Sequence, residues 1–247
     1  PNILLLIADD LGVDRVGAYG EHPDPGNTPV IDQLAAEGTL FRHAWSNPFC
    51  SGSRATMLTG RYSFRTGIGS FLSFNGEGEV DIDEVSIADI LPPEYRKAAV
   101  GKWHLSGSAG SHLDHPMLMG FEHHRGSISN FPTGTDYFNW DKNVDGTVVR
   151  SSTYATTDTV DEALGLIASF SPDPWFLWVA FNAPHRPYHH PPEELHSFDL
   201  PAEVDLNDPD FMKALTEAMD TEIGRLLDSM DPAVLANTVI IFVGDNG

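Results

Sequence analysis

The sequence predicts an α/β domain built on a mostly parallel sheet. Three observations carry this. Residues 2–8 (NILLLIA), 175–181 (WFLWVAF) and 239–243 (VIIFV) are short, unbroken apolar runs, which suits strands covered on both faces. Between them lie segments whose apolar residues recur at helical spacing. No internal repeat or linker interrupts the alternation, so one sheet collects the strands.

Each element has its own signal. The first run stops at Asp9-Asp10. Thr28-Pro29 starts a helix with proline at its first position, Val30, Leu34 and Ala35 form its stripe, and Gly38 ends it. Residues 53–58 suit a short helix ending near Gly60. Residues 95–100 form a second strand that runs into Gly101-Lys102-Trp103-His104. The stretch 106–144 is rich in Gly, Ser, His and Asn and reads as loop. Val160, Ala163, Leu164 and Ile167 set a helix within 152–170. A proline-rich loop spans 184–201. Residues 207–230 are the clearest amphipathic helix, with Met212, Leu215, Met219, Ile223, Leu226 and Leu227 on one face. The last strand ends at Asp245-Asn246-Gly247.

Composition narrows the function. The 247 residues hold 36 acidic and 14 basic side chains, a formal charge of −22, so a nucleic-acid backbone or an anionic membrane is a poor partner. Lys97, Lys102, Lys142 and Lys213 are the only lysines, too few for a polybasic patch. At 41% hydrophobic, the chain is not a disordered acidic tail. A single cysteine, Cys50, excludes internal disulfides and a multi-cysteine zinc site. No apolar run approaches a membrane span, so membrane insertion is not expected. The chain opens at Pro1 directly into an apolar run, so any signal peptide is expected to have been removed or never present.

In parallel sheets, ligands sit at the carboxyl ends of strands. Two strands end there in paired oxygen groups, Asp9-Asp10 and Asp245-Asn246. These suit a hard divalent cation, or simply the turns in which Asp and Asn are common. Cys50 lies four residues before Arg54, where helix N–H groups and a guanidinium favour an anion; the alternative is a small buried cysteine. Alternation would put Lys102 and His104 on one sheet face. His185 follows another apolar strand. Asp141 to Gly146 imitates the opening of a calcium-binding EF-hand loop, but position twelve is Ser152 and the closing Glu is missing. His112, His115, His123, His124, His189, His190 and His196 have no regular metal spacing and read as surface or loop histidines. No phosphate-binding or dinucleotide glycine fingerprint is present.

Taken in order, PNILLLIADDLG, NTPVIDQLAAEGTLFRHAW, CSGSRATMLTGRY, GKWHL, MGFE, FNAPHRPY, MDTEIGRLLD and NTVIIFVGDNG resemble the sulfatase family of the alkaline-phosphatase-like fold, from the first residue to the last. The resemblance implies a sulfuric ester hydrolase. Cys50 matches the cysteine that becomes Cα-formylglycine, whose hydrated aldehyde attacks sulfur with one hydroxyl and releases sulfate through the other. Asp9, Asp10, Asp245 and Asn246 match the ligands of a divalent cation, usually calcium with magnesium or manganese as alternatives, and modified Cys50 adds an oxygen. Arg54 matches the residue that holds this cluster, Lys102 and His185 those that contact the sulfate and leaving oxygen, and His104 the base for the second hydroxyl.

The implied partners are a small-molecule or carbohydrate sulfate ester and a formylglycine-generating or anaerobic sulfatase-maturating enzyme. A periplasmic or secreted location is expected. The pattern departs from the family at Gly52, where Pro or Ala is usual, and glycine leaves the segment read by the maturating enzyme more flexible. Family members continue past the Asp-Asn-Gly segment, so residues 1–247 are expected to be the N-terminal catalytic part of a domain whose C-terminal subdomain lies outside them. Two other readings stay open: a phosphate or phosphonate monoester hydrolase of the same fold, and an inactive sulfatase-like binding protein.

Overall fold

The computed structural model of the chain describes residues 1–73, 76, 78–107 and 112–247. Strand β1 (Asn2–Asp9) is followed by helices α1 (Pro29–Glu37), α2 (Cys50–Thr59), α3 (Ser63–Thr66) and α4 (Ile87–Ile90). Then come β2 (Arg96–Gly101), α5 (His115–Leu118), β3 (His123–Gly126), β4 (Trp140–Val144) and β5 (Thr147–Ser151). Helix α6 (Ala155–Phe170), β6 (Trp175–Pro184), α7 (Pro209–Ser229), α8 (Pro232–Ala236) and β7 (Thr238–Gly244) complete the order.

The seven strands form one sheet in the order β5-β4-β3-β2-β6-β1-β7. The five strands from β3 to β7 in that order run parallel, and β4 and β5 are antiparallel additions at one edge. The apolar runs of β1 and β6 are continuous because both faces are covered, whereas β7 lies at the sheet edge with Val239 and Ile241 about half exposed, contrary to the expectation for its run. Leu4, Leu6 and Ala8 of β1 pack on the side of α6 and α7, with Val160, Ala163, Met219 and Ile223. Leu5 and Ile7 face the other way, toward Ala55 and Leu58 of α2, Ala88 of α4, and Trp103.

Helix ends follow local chemistry. Asp208 caps α7 by accepting from Asp210 N at 2.9 Å, with Pro209 at its first position. The Thr28 side chain makes no cap bond to α1; Asp220 of α7 does so from across the layer, accepting from Val30 N at 2.9 Å and Ile31 N at 2.8 Å. Helix α2 starts at Cys50, three residues before the expected 53–58 helix, and stops at Gly60, whose φ is +66°.

The stretch read as loop between 106 and 144 carries regular structure: α5, β3 and β4 lie in it, while residues 108–111 are outside the described residues. These strands are short and polar (HHRG and WDKNV), so periodicity gave no signal. The EF-hand imitation is part of a hairpin. Val144 pairs with Thr147, leaving Asp145 and Gly146 as a two-residue turn with φ of +50° and +87°. Positive φ at both central residues is the hairpin turn that Asp-Gly favours.

Two of the seven histidines depart from the surface or loop reading. His115 and His124 are fully buried. His115 Nδ1 accepts from Trp103 Nε1 at 3.0 Å while its Nε2 donates to the Val80 carbonyl at 2.8 Å. His124 Nδ1 accepts from Asn143 Nδ2 at 3.0 Å. His115 is thus a satisfied core residue, while His124 is equally buried with its Nε2 lacking a hydrogen-bond partner, and neither belongs to a metal-ligating group among the described residues. Among the described residues no helix is long and apolar enough to cross a membrane.

Candidate active site

The carboxyl ends of β1, β2, β6 and β7 converge on the first turn of α2. Cys50 opens that helix and is buried, with 5% of its surface exposed. Arg54 follows one turn later on the same face. It is fully buried: Nε donates to Asp245 Oδ2 at 2.8 Å and Nη1 to the Lys102 carbonyl at 2.6 Å, while Nη2 lies 3.6 Å from Asp9 Oδ1. One guanidinium thus ties together the ends of β1, β2 and β7.

Lys102 and His104 do meet at the site, but strand alternation does not bring them there. Strand β2 ends at Gly101, whose φ is +80°. A Cβ at Gly101 would come within 1.9 Å of the Ala180 carbonyl, so only glycine lets β2 turn there against β6. Beyond the turn, Lys102 Nζ pairs with Asp9 Oδ2 and lies 3.8 Å from Cys50 Sγ. His104 adopts φ of +58° and places Nδ1 3.1 Å from the same sulfur. Its Nε2 lies 2.8 Å from the Leu72 carbonyl. A carbonyl only accepts, so Nε2 carries the proton and Nδ1 presents a lone pair to Cys50.

Burial pushes the His104 pKa well below its ordinary value, and Lys102 and Arg54 add to this. Burial likewise pushes the Cys50 thiol up, against the pull of Lys102. For Arg54, burial works downward, but Asp245 and Asp9 outweigh it and hold the guanidinium pKa above its ordinary value. Burial raises the Asp245 carboxyl to about 6, with Arg54 opposing.

The second residue of each acidic pair sits nearer the opening. Asn246 Nδ2 donates to Asp10 Oδ1, and Asp10 N donates to Asp245 Oδ1 at 3.2 Å. His185, just past β6, lies 3.4 Å from Asp10 Oδ2 through Nε2. Tyr137 steadies this corner: its hydroxyl lies 2.7 Å from both the Asn182 and His185 carbonyls. Asp10, like His104, has a positive φ, +60°. Backbone held in this sparsely used region is stored strain, and such residues cluster at functional sites.

The donor set fits a hard divalent cation. Ligand atoms of Asp9, Cys50 and Asp245 lie within 4.8 Å of one another, the one such group among the described residues. Asp9 Oδ1 and Asn246 Oδ1 are buried oxygens without a hydrogen-bond donor. Three carboxylates against two buried cationic side chains leave a net negative nest, and oxygens of this kind suit calcium or magnesium. With Cys50 as a thiol, one of the five positions offers sulfur, which such cations disfavour; an oxygen there removes the mismatch.

A cleft of about 250 Å³ opens onto these groups, walled by Asp10, Phe49, Cys50, Phe71, His185 and Asn246, with Asn130 completing it. All nine residues singled out from the sequence therefore surround one centre. Phe71, Asn130 and Tyr137 were not found there. Each comes from a stretch without periodicity or motif, and only the folding of the chain after β3 and around α2 brings it to the cleft.

The sulfatase family model matches residues 1–247. The mouse protein arylsulfatase G is 30% identical over 285 aligned residues, covering all of this chain and 51% of its own length. Pig N-acetylgalactosamine-6-sulfatase is 31% identical, covering all of this chain and 50% of its own. The solved structure of Ps i-CgsB superposes with a TM-score of 0.84 at 32% identity, over all of this chain and 58% of that one. A second structure, of Ps i-CgsB in complex with k-i-k-neocarrahexaose, gives a TM-score of 0.82 at 30% identity. The chain spans about half the length of the two mammalian relatives.

Proposed function

This chain belongs to the sulfatase family, and on that premise we propose that the protein hydrolyses a sulfate ester, with Cys50 converted to formylglycine as its nucleophile. The observation that carries the reading is the environment of Cys50. Its Sγ has a neutral base, His104 Nδ1, at 3.1 Å and a cation, Lys102 Nζ, at 3.8 Å. The base side matches proton transfer from a hydroxyl, and the cationic side matches stabilisation of charge growing on sulfate oxygens.

The roles divide by position. His104 exchanges a proton at Nδ1, with the Leu72 carbonyl fixing the tautomer. His185 lines the cleft and Lys102 lies buried beside Cys50; in this reading they hold the sulfate and its leaving oxygen. Arg54 fixes Asp9 and Asp245 and does not reach solvent. Asp9, Asp10, Asp245, Asn246 and the oxygen of modified Cys50 would hold a divalent cation, which we take as calcium. Bound there, such a cation would supply Lewis-acid polarisation of a sulfate oxygen and a lowered pKa for the attacking hydroxyl. Substrates of the carbohydrate class fit this reading, since Ps i-CgsB was solved with an oligosaccharide.

The test is the mass of the Cys50 peptide in the full-length protein made with a maturating enzyme, together with turnover of 4-nitrophenyl sulfate and phosphate. Conversion to the aldehyde and faster sulfate hydrolysis are expected. An unmodified thiol, or faster phosphate hydrolysis, overturns the reading.

A further inference from the structure

We propose that Ser51 is a positioning residue for the base: through the Leu72 backbone it holds the His104 ring with Nδ1 toward Cys50. This rests on the sulfatase reading above, because it concerns how the proton acceptor of that reaction is kept in place.

The links are hydrogen bonds between three stretches of chain. Ser51 follows Cys50 in the first turn of α2 and is fully buried. Its Oγ accepts from Leu72 N at 3.0 Å. The Leu72 carbonyl in turn accepts from His104 Nε2 at 2.8 Å. Consecutive residues of α2 thus address both nitrogens of one ring. Cys50 Sγ does so directly, 3.1 Å from Nδ1, and Ser51 does so through Leu72 at Nε2.

Leu72 has little else to set the direction of its carbonyl. It lies between α3 and α4, outside any helix or strand, and is half-buried. Among the described residues no backbone–backbone hydrogen bond engages its N–H or its carbonyl. Its side chain packs against the core around Ala55 and Trp103, but apolar packing is not directional. The two side-chain partners therefore place this peptide. The His104 backbone is held separately: its N donates to Ile128 O at 2.8 Å, and its φ is +58°. The backbone fixes where the ring begins, the Leu72 carbonyl fixes which way it faces, and Ser51 fixes the carbonyl. An imidazole that loses the partner of its N–H is free to change tautomer, which removes the lone pair from its target. The competing role for Ser51 is structural only, tacking the segment around Leu72 to α2.

The experiment uses the full-length protein in two forms. Unmatured protein, with Cys50 as a thiol and its histidine rings isotope-labelled, reports the tautomer of His104 by NMR. Matured protein reports turnover of 4-nitrophenyl sulfate, with each rate divided by the formylglycine content found by mass, so that poor maturation of a Ser51 variant is not counted as poor catalysis. The parent ring is expected to carry its proton on Nε2 alone. Ser51→Ala is expected to show mixed tautomers and to lower kcat about tenfold, with KM changed less than twofold. Thr66→Ala is the control, because Thr66 Oγ1 accepts from Ile68 N at 3.4 Å and so steadies the same segment without touching Leu72. It is expected to keep the parent tautomer and a kcat within twofold of the parent. A parent proton on Nδ1, a Ser51→Ala protein that keeps either the parent tautomer or the parent kcat, or an equal loss of kcat in both variants overturns the proposal. If the matured parent hydrolyses no sulfate ester, the sulfatase reading fails by itself, and the tautomers of the parent and Ser51→Ala rings still decide the positioning role.

Discussion

Cys50 Sγ lies 3.1 Å from His104 Nδ1, and the opposite ring nitrogen is committed to the Leu72 carbonyl at 2.8 Å. The ring therefore cannot turn its lone pair elsewhere without breaking a buried hydrogen bond. His104→Ala should lower kcat for an aryl sulfate by roughly 10²- to 10⁴-fold, the usual worth of a positioned base, with KM little changed. A variant that keeps more than half of the parent kcat would remove His104 from proton transfer.

Arg54 holds two buried carboxylates and a carbonyl from the centre of the site. Arg54→Met leaves Asp9 and Asp245 with Lys102 as their remaining cationic neighbour among the described residues. Removing one partner from a buried ionic cluster costs about 3–5 kcal/mol. Urea unfolding of the chelator-treated protein should register that loss, and saturating calcium should reduce it, because the cation neutralises the same carboxylates. An unchanged midpoint in chelator would mean the cluster contributes nothing to stability.

A bound cation stabilises the fold by mass action, by about 2.7 kcal/mol at a hundredfold excess over Kd. EDTA should lower the melting temperature of the parent protein, and calcium should restore it. Asp245→Asn should blunt both changes. Identical melting curves with and without chelator would rule out a cation held by these residues.

Burial lowers the pKa of His124 and of His189 to about 4 in the folded chain. In the unfolded chain both titrate near 6.5. Between those values the unfolded state binds more protons, so stability rises with pH. The contribution is complete above about pH 6.5 and is lost as pH falls toward 4. Urea unfolding at pH 7 and pH 5 should show the decline, and the imidazole resonances of His124 should stay those of the neutral ring at pH 5.5. A protonated His124 in the native state at that pH would contradict its burial in β3 against Asn143 of β4 and Trp103.

Much of this molecule was legible as sequence. The runs NILLLIA and WFLWVAF identified their strands because burial on both faces leaves no polar position in them, while VIIFV was recognised by its β-branched apolar residues although one face of β7 is half exposed. Asp9-Asp10 and Asp245-Asn246 stood out because they end those strands, where parallel sheets bind ligands. The strands β3, β4 and β5 were not legible, since β3 is only four polar residues long and the edge additions β4 and β5 are partly polar, and the Asp145-Gly146 turn passed for part of a metal loop. His115 and His124 passed for surface or loop residues, because a histidine packed in a core has no distinguishing spacing.

The sequence by itself determined the parallel α/β architecture and singled out the nine residues that converge on the cleft, because burial and turn chemistry are written in local pattern. Tertiary structure decided how those residues meet. The positive φ at Gly101 and His104 re-aims two side chains that alternation alone would have left on the sheet. Long-range pairing brings Asp245 beside Asp10 across 235 residues. The cleft wall of Phe49, Phe71 and Asn130 exists only once α2 has docked against the ends of the strands. Contacts of that kind depend on the path of the whole chain, and no short window of sequence encodes them.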